Sequence, residues 1–242
     1  MSLERMSLER ILEKTPALAG VDPKARAQLA AAASLVSLRR GEWLWRAGEK
    51  PRALTIIRCG LVKLTRPVNR GRSAICGIFG PPETLCDDAL LDGSAYPDDA
   101  VVATDTAAVV QIPREALLQC ANRDPKLALS IARGVQAELR AAHDKIDVLS
   151  AGGVEARLAL LLLKLYDKFG DDFDDGTSRI PVALTRRDLA DLVSTSFETA
   201  IRVMTRWDRQ AVVSTEPDGF TLRDLARLHD IAFGSAVATA AE

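Results

Sequence analysis

Histidine is almost missing from this 242-residue chain, which holds only His143 and His229. One histidine without a ligand cluster beside it is poor ground for a metal site. No Ser/His/acid set, phosphate-binding glycine loop or metal cluster can be assembled from the residues present, so the chain is not read as an enzyme. Cysteine is also sparse. Cys59, Cys76, Cys86 and Cys120 are the only four, and they lack the close pairs that structural zinc or a thioredoxin-like site needs. Buried reduced thiols are expected. An excess of positive charge is lacking too: 32 Lys and Arg stand against 33 Asp and Glu, for a net charge of −1. That excludes a non-specific nucleic-acid binder and makes any DNA contact local. The longest strongly apolar run, Leu158 to Leu165, falls far short of the roughly 18 residues of a membrane span. No signal-peptide pattern precedes Met6. A soluble cytoplasmic protein with no membrane partner is expected. The opening MSLERMSLER repeats five residues directly, and its first copy carries no structural expectation.

What is present suits two globular domains, since 48% of the residues are apolar and the length exceeds one domain of about 150 residues. Ser7 to Ser34 is rich in Ala and Leu, with breaks at Thr15-Pro16 and Asp22-Pro23, and predicts two short helices. From Leu35 to Pro113 short β-type runs are punctuated by glycines, the texture of a small β-barrel or jelly roll. Trp43 and Trp45 sit at period two, where both are expected in the core. Beyond Asp124-Pro125 the period lengthens. Ala132, Val135, Leu139, Ala142, Ile146 and Leu149 recur at steps of three and four, a heptad seam that predicts a helix pairing with a second copy. A helix packing on its own domain could carry the same stripe. Gly152-Gly153 then breaks the pattern as a candidate hinge. The domains are accordingly drawn as 1–123, a dimerisation helix over 124–151, and 152–242.

Val154 to Phe169 is apolar nearly all round, as a buried helix should be. The acidic stretch Asp171 to Gly176 lacks calcium-loop ligands where they are required and is expected to be a solvated loop. Thr185, with Asp188 three residues on, forms a capping signature for a short helix over the following apolar-periodic residues. Ser194-Thr195-Ser196 interrupts. A second amphipathic helix follows from Phe197 to about Gln210, with Ala200, Ile201, Val203, Met204 and Trp207 supplying its apolar atoms. Two helices joined by so short a turn predict a helix-turn-helix. Ser196 and Thr199 are placed for phosphates. Glu198 and Arg202, four apart on one face, offer an acceptor for cytosine and a fork for guanine; an ordinary surface ion pair is the competing explanation. Val212-Val213, the turn Glu216-Pro217-Asp218-Gly219 and Phe220-Thr221-Leu222 read as a hairpin, hence a wing.

These motifs resemble the CRP/FNR family of bacterial transcription regulators from about Pro16 to Leu222. Gly41 to Glu49 and Ile57 to Leu64 look like two hairpins of that family's barrel, and Leu184 to Arg202 looks like its DNA-reading helices. The resemblance implies an α+β fold: an N-terminal cyclic-nucleotide-binding-like β jelly roll, a long dimerisation helix and a C-terminal winged helix-turn-helix. It implies base contacts from Glu198 and Arg202, phosphate contacts from Arg186, Ser196 and Thr199, a homodimer on double-stranded DNA, RNA polymerase as partner, and a small effector. Cyclic-nucleotide-binding members carry Gly-Glu and Arg-Ser pairs in the segment corresponding to Pro81 to Ala100. Here the Arg-Ser position holds Asp98-Asp99, whose charge opposes a phosphodiester, so cyclic AMP is not expected. An iron-sulfur cluster of the oxygen-sensing type is not expected either, since no cysteine precedes Cys59 and Val110 replaces the barrel cysteine. Cys86 aligns with the haem-ligating cysteine of carbon-monoxide-sensing members, but Asp88 stands where their exchangeable histidine does. Haem through Cys86 therefore competes with a structural thiol. His143, on the dimer helix, lies near where the family's effector pocket meets that helix. A ligand-sensing module that regulates a partner protein without touching DNA is the alternative function.

Overall fold

The β-type runs between Leu35 and Pro113 become two four-stranded antiparallel sheets in the computed structural model, which describes residues 3–18, 20–68, 72–85, 87–174 and 176–234. One sheet has the order β1-β8-β3-β6, from β1 (Ser34–Arg39), β3 (Ala53–Cys59), β6 (Thr84–Leu85) and β8 (Thr106–Pro113). The other is β2-β7-β4-β5, from β2 (Trp43–Trp45), β4 (Val62–Val68), β5 (Arg72–Phe79) and β7 (Asp99–Val102). Apart from the β4-β5 hairpin, strands that follow one another in sequence are divided between the sheets, as in a jelly roll. Successive side chains of a strand point to opposite faces, so β3 and β8 each serve two cores. Ile57 and Val109 pack with Trp45, Val62, Leu64, Phe79 and Leu85 in the core shared by the two sheets. Leu54, Ile56, Val110 and Ile112 pack instead with Leu12, Leu29, Leu117 and Leu127. Those partners come from α1 (Leu3–Lys14), α2 (Pro23–Ala32), α4 (Arg114–Ala121) and α5 (Pro125–Ser150).

Several expectations need correction. Trp45 is buried at 5% exposure and stacks on Tyr96, but Trp43 is 39% exposed, with the Arg46 guanidinium 3.3 Å from its ring centre. The pairing of β2 with β7 shifts register between the two tryptophans. Such a bulge breaks the period-two rule that places them together. Cys120 is buried, whereas Cys59 is exposed beyond a second register shift in β3. Helix α1 begins at Leu3, inside the first copy of the N-terminal repeat. Helix α3 (Asp87–Asp92), inside the β region, and α4 were not expected, being too short for a 3.6-residue period to emerge.

By its contacts the chain divides into two units, Met1–Ala142 and His143–Glu242, with the division inside α5. In the second unit α6 (Val154–Phe169) buries Leu158, Leu161, Leu162, Leu163 and Leu165, and α9 (Leu225–Phe233) packs on it. Its sheet has the order β11-β12-β10-β9, from β9 (Asp171–Asp172), β10 (Ser178–Ile180), β11 (Val213–Glu216) and β12 (Gly219–Leu222). The acidic stretch is thus partly an edge strand. The Tyr166 and Ser178 hydroxyls each donate to Asp172 Oδ1 at 2.7 Å, holding that carboxyl below its ordinary pKa. At Gly219 a Cβ would stand 1.9 Å from the Ile180 carbonyl oxygen, so only glycine lets the β11-β12 hairpin lie against β10. No helix is long and apolar enough to cross a membrane among the described residues.

Candidate nucleic-acid interface

Helix α7 (Arg186–Leu192) starts where the capping signature placed it: Thr185 Oγ1 accepts from the Asp188 N–H at 3.1 Å, and Asp188 Oδ2 accepts from the Thr185 N–H at 2.9 Å. Each hydrogen bond satisfies an amide that the first turn leaves unpaired. At the other end, Ser194 takes a left-handed φ of 52° and the Thr195 N–H closes on the Ala190 carbonyl at 2.9 Å. The Leu192 carbonyl accepts from Lys145 Nζ, and the Val193 carbonyl accepts from Arg157 Nη1 at 2.9 Å. Two cations therefore meet the negative end of α7, where the helix dipole favours them. Sequence reasoning missed both. Neither is a near neighbour of α7 in sequence. Thr185→Ala is expected to lower the stability of this unit by about 1 kcal/mol, measured as a lower unfolding midpoint and faster amide exchange in α7.

Helix α8 (Phe197–Arg209) is capped by Ser196, whose Oγ accepts from the Thr199 N–H at 3.1 Å and donates to Thr199 Oγ1 at 3.0 Å. Ala200, Val203, Met204 and Trp207 are buried on one side. Ile201, expected to join them, is 38% exposed, because its place on the helix turns it toward the other side. Phe197 is 37% exposed and carries the Arg187 guanidinium 5.1 Å from its ring centre. Glu198 and Arg202 are both exposed. No ion pair joins them among the described residues; the ion pair of α8 is formed further along by Arg206 with Glu155. The Glu198 carboxyl lies below its ordinary pKa because its own backbone N–H donates to it, with the Ser196 hydroxyl and Arg187 nearby, so it is an ionised acceptor at neutral pH. Arg186 is half-buried, and one Nη2 hydrogen bond at 2.7 Å ties it to Thr215 Oγ1 on β11. Of a guanidinium's five donors, that hydrogen bond uses one. The structure thus gathers Ser196, Glu198, Thr199 and Arg202 on the first two turns of α8 and links Arg186 to the wing.

The heptad positions of α5 are left uncovered in the single chain. Ala132 and Ala142 are exposed, Val135 is half-buried, and Leu139, Ile146 and Leu149 are 55%, 59% and 38% exposed. Leu127, Ile131 and Val148 face inward instead. Lys164 of α6 grips α5 through Asp144 at 2.5 Å and Asp147 at 2.9 Å, spanning Gly152-Gly153. His143 is exposed, and Cys86 lies outside the described residues.

In the jelly roll, Asp98 is buried at 6% exposure and receives two hydrogen bonds from Arg66, at 2.7 and 3.1 Å. Those hydrogen bonds raise the Arg66 pKa. Cys76 Sγ stands 3.5 Å from the same carboxylate, and burial followed by that charge pushes the thiol's pKa up. Asp99 accepts from the Ala47 N–H at 2.7 Å. Among the described residues no three His, Cys, Asp or Glu side chains converge as a metal site would need.

Two family models match the chain. The cyclic nucleotide-binding domain matches residues 35–124, and the Crp-like helix-turn-helix domain matches residues 156–231. The cyclic AMP receptor protein of Thermus thermophilus is 30% identical over 198 residues, 81% of this chain and 87% of that protein. A CRP-like cAMP-activated global transcriptional regulator of Mycobacterium tuberculosis is 27% identical over 221 residues, 91% of this chain and 98% of that protein. The fumarate and nitrate reduction regulatory protein of Vibrio cholerae is 28% identical over 81% of this chain and 77% of its own length. Among solved structures, a CRP-family transcriptional regulator from Thermus thermophilus is 26% identical and superposes with a TM-score of 0.68, covering 85% of this chain and all of that one (100%). FixK2 from Bradyrhizobium japonicum shares the fold at a TM-score of 0.72 and 22% identity, covering 84% of this chain and 99% of that one.

Proposed function

Given that the chain belongs to the CRP/FNR family and is a DNA-binding transcription regulator, we propose that it acts as a homodimer whose two α8 helices read adjacent major-groove faces of one operator under control of an effector other than cyclic AMP. The match of residues 156–231 to a Crp-like helix-turn-helix sets aside the alternative of a sensor that regulates a partner without DNA.

The observation that carries the base-reading assignment is the exposed, mutually unpaired couple Glu198 and Arg202 on the first turns of a helix capped by Ser196. An ionised carboxylate accepts from cytosine N4, and a guanidinium fork matches guanine O6 and N7. Ser196, Thr199 and Arg186 supply phosphate contacts that fix register without reading sequence. Two-fold symmetry sets the half-sites about 34 Å apart. The uncovered seam from Ala132 to Leu149 supports the dimer, for exposed Leu and Ile at heptad spacing are covered when a second copy supplies its own. Arg202→Ala is expected to relax preference at one G·C position by a factor of roughly 5 to 100, the worth of one bidentate base contact, while leaving the other positions alone. Selection from random duplexes measures this, and an unchanged base preference would remove Arg202 from the reading face.

The Asp98 carboxylate supports the choice of effector class. It is buried, accepts two hydrogen bonds from Arg66, and stands in the segment that the family resemblance assigns to a phosphodiester in nucleotide-binding members; a phosphate there would face a carboxylate. Iron-sulfur ligation gains no support from Cys59, Cys76 and Cys120, which do not converge. We assign the chain no catalytic role, RNA polymerase as partner, cytoplasmic location, and a sensing domain over 1–123 linked by the 124–151 helix to a DNA-binding domain over 152–242.

A further inference from the structure

Resting on the assignment of α8 to the major groove, we infer that Phe197 and Ile201 are specificity-determining residues that read the 5-methyl groups of thymines beside the base pair contacted by Glu198 and Arg202. A helix advances about 100° per residue. Phe197 and Ile201 are thus about 40° apart, Glu198 and Arg202 are about 40° apart, and all four lie within an arc of about 140°. The adjoining inner arc of α8 is filled by Ala200, Val203, Met204 and Trp207, while Phe197 and Ile201 stay 37% and 38% exposed. Isolated exposed apolar residues are ordinary on a protein surface. Here two large ones adjoin at i and i+4 on the first two turns of the reading helix, flanking its two charged readers. Arg187, placed over the Phe197 ring, holds that ring on the exposed side.

The chemistry of the groove selects their occupant. Phenyl and sec-butyl groups neither donate nor accept hydrogen bonds, so they gain nothing from the base-edge nitrogens and oxygens. The only apolar group on the major-groove edges of the four bases is the thymine methyl. Removing that methyl from water against Phe197 or Ile201 favours A·T pairs at the positions flanking the G·C pair. The patch thereby divides its labour: a charged couple for one pair, an apolar couple for its neighbours.

The experiment uses the full-length protein. An operator is selected from random duplexes, and each thymidine is then replaced singly by 2′-deoxyuridine, which keeps the Watson–Crick and O4 contacts and removes only the methyl. Affinity is expected to fall on the order of fourfold at each contacted thymine. Phe197→Ala and Ile201→Ala should each abolish the effect at one position, whereas Arg202→Ala should retain it at both. If deoxyuridine is neutral at every thymine of an operator that still shows the G·C preference, the apolar readout is overturned and the role of Glu198 and Arg202 stands. If the methyl effect persists in both alanine variants, these two side chains are not its readers. If no duplex is enriched at all, the base-reading assignment of α8 falls and this inference falls with it. The wild-type measurement does not depend on the folding of any variant.

Discussion

A chain carrying Leu139→Lys and Ile146→Lys is expected to be a folded monomer near 26.1 kDa that binds a two-fold operator at least about a hundredfold more weakly than the wild type. Both side chains are more than half exposed in the single chain, at 55% and 59%, so lysine there disturbs neither unit's own core. In the proposed dimer the same positions would face their counterparts across the seam, where paired ammonium groups in an apolar interface combine repulsion with desolvation. The affinity loss follows from geometry. With two recognition helices joined through the proposed seam, binding of the second half-site is intramolecular, and separating the subunits forfeits an avidity of about 10²–10⁴. Sedimentation checks the mass, circular dichroism the fold, and titration of a labelled operator the affinity. A persisting dimer would place the subunit contact elsewhere than Ala132 to Leu149. A monomer that binds at full strength would make each helix-turn-helix self-sufficient.

Trp207→Ala is expected to destabilise the C-terminal unit by about 3–5 kcal/mol, lowering its melting temperature by roughly 12–40 °C without moving the transition of the jelly roll. Trp207 is 1% exposed and, among the described residues, is the largest of the fully buried side chains. It belongs to the buried face of α8, and its carbonyl accepts from the Val212 N–H at 2.9 Å as the chain turns into β11 through Ala211, whose φ is 53°. Truncation to alanine leaves a cavity directly beneath the reading face, so operator binding should fade at temperatures where the wild type still binds. Scanning calorimetry separates the two transitions, and Trp207→Phe should recover part of the loss. A single transition that shifts as a whole would show that the two units unfold as one.

Much of this molecule is written locally. The capping box joins Thr185 to Asp188, three positions apart, the N-cap joins Ser196 to Thr199 likewise, and the wing turns on Glu216 to Gly219. Each can be read from the sequence because the groups that satisfy one another are near neighbours in the chain. The heptad stripe of α5 was legible for a related reason, since a long helix repeats its period several times. Helices α3 and α4 and the two-residue β9 are too short to repeat anything. Helix α9, nine residues capped by Asp224, carries a local capping signal just past the wing.

The kinds of element, their order, and the residue types offered on α8 follow from local pattern along the chain. Which side chains are covered was settled by packing between elements. It buried Trp45 and left Trp43 outside through a bulge in the pairing of β2 with β7, and it exposed Ile201 by spending the inner face of α8 on Ala200, Val203, Met204 and Trp207. It also gave the buried Asp98 its counterion from Arg66, 32 residues away, and closed the end of α7 with Lys145, 47 residues before Leu192. Burial and charge pairing depend on atoms brought together across sheets and between helices, and no local period encodes that distance.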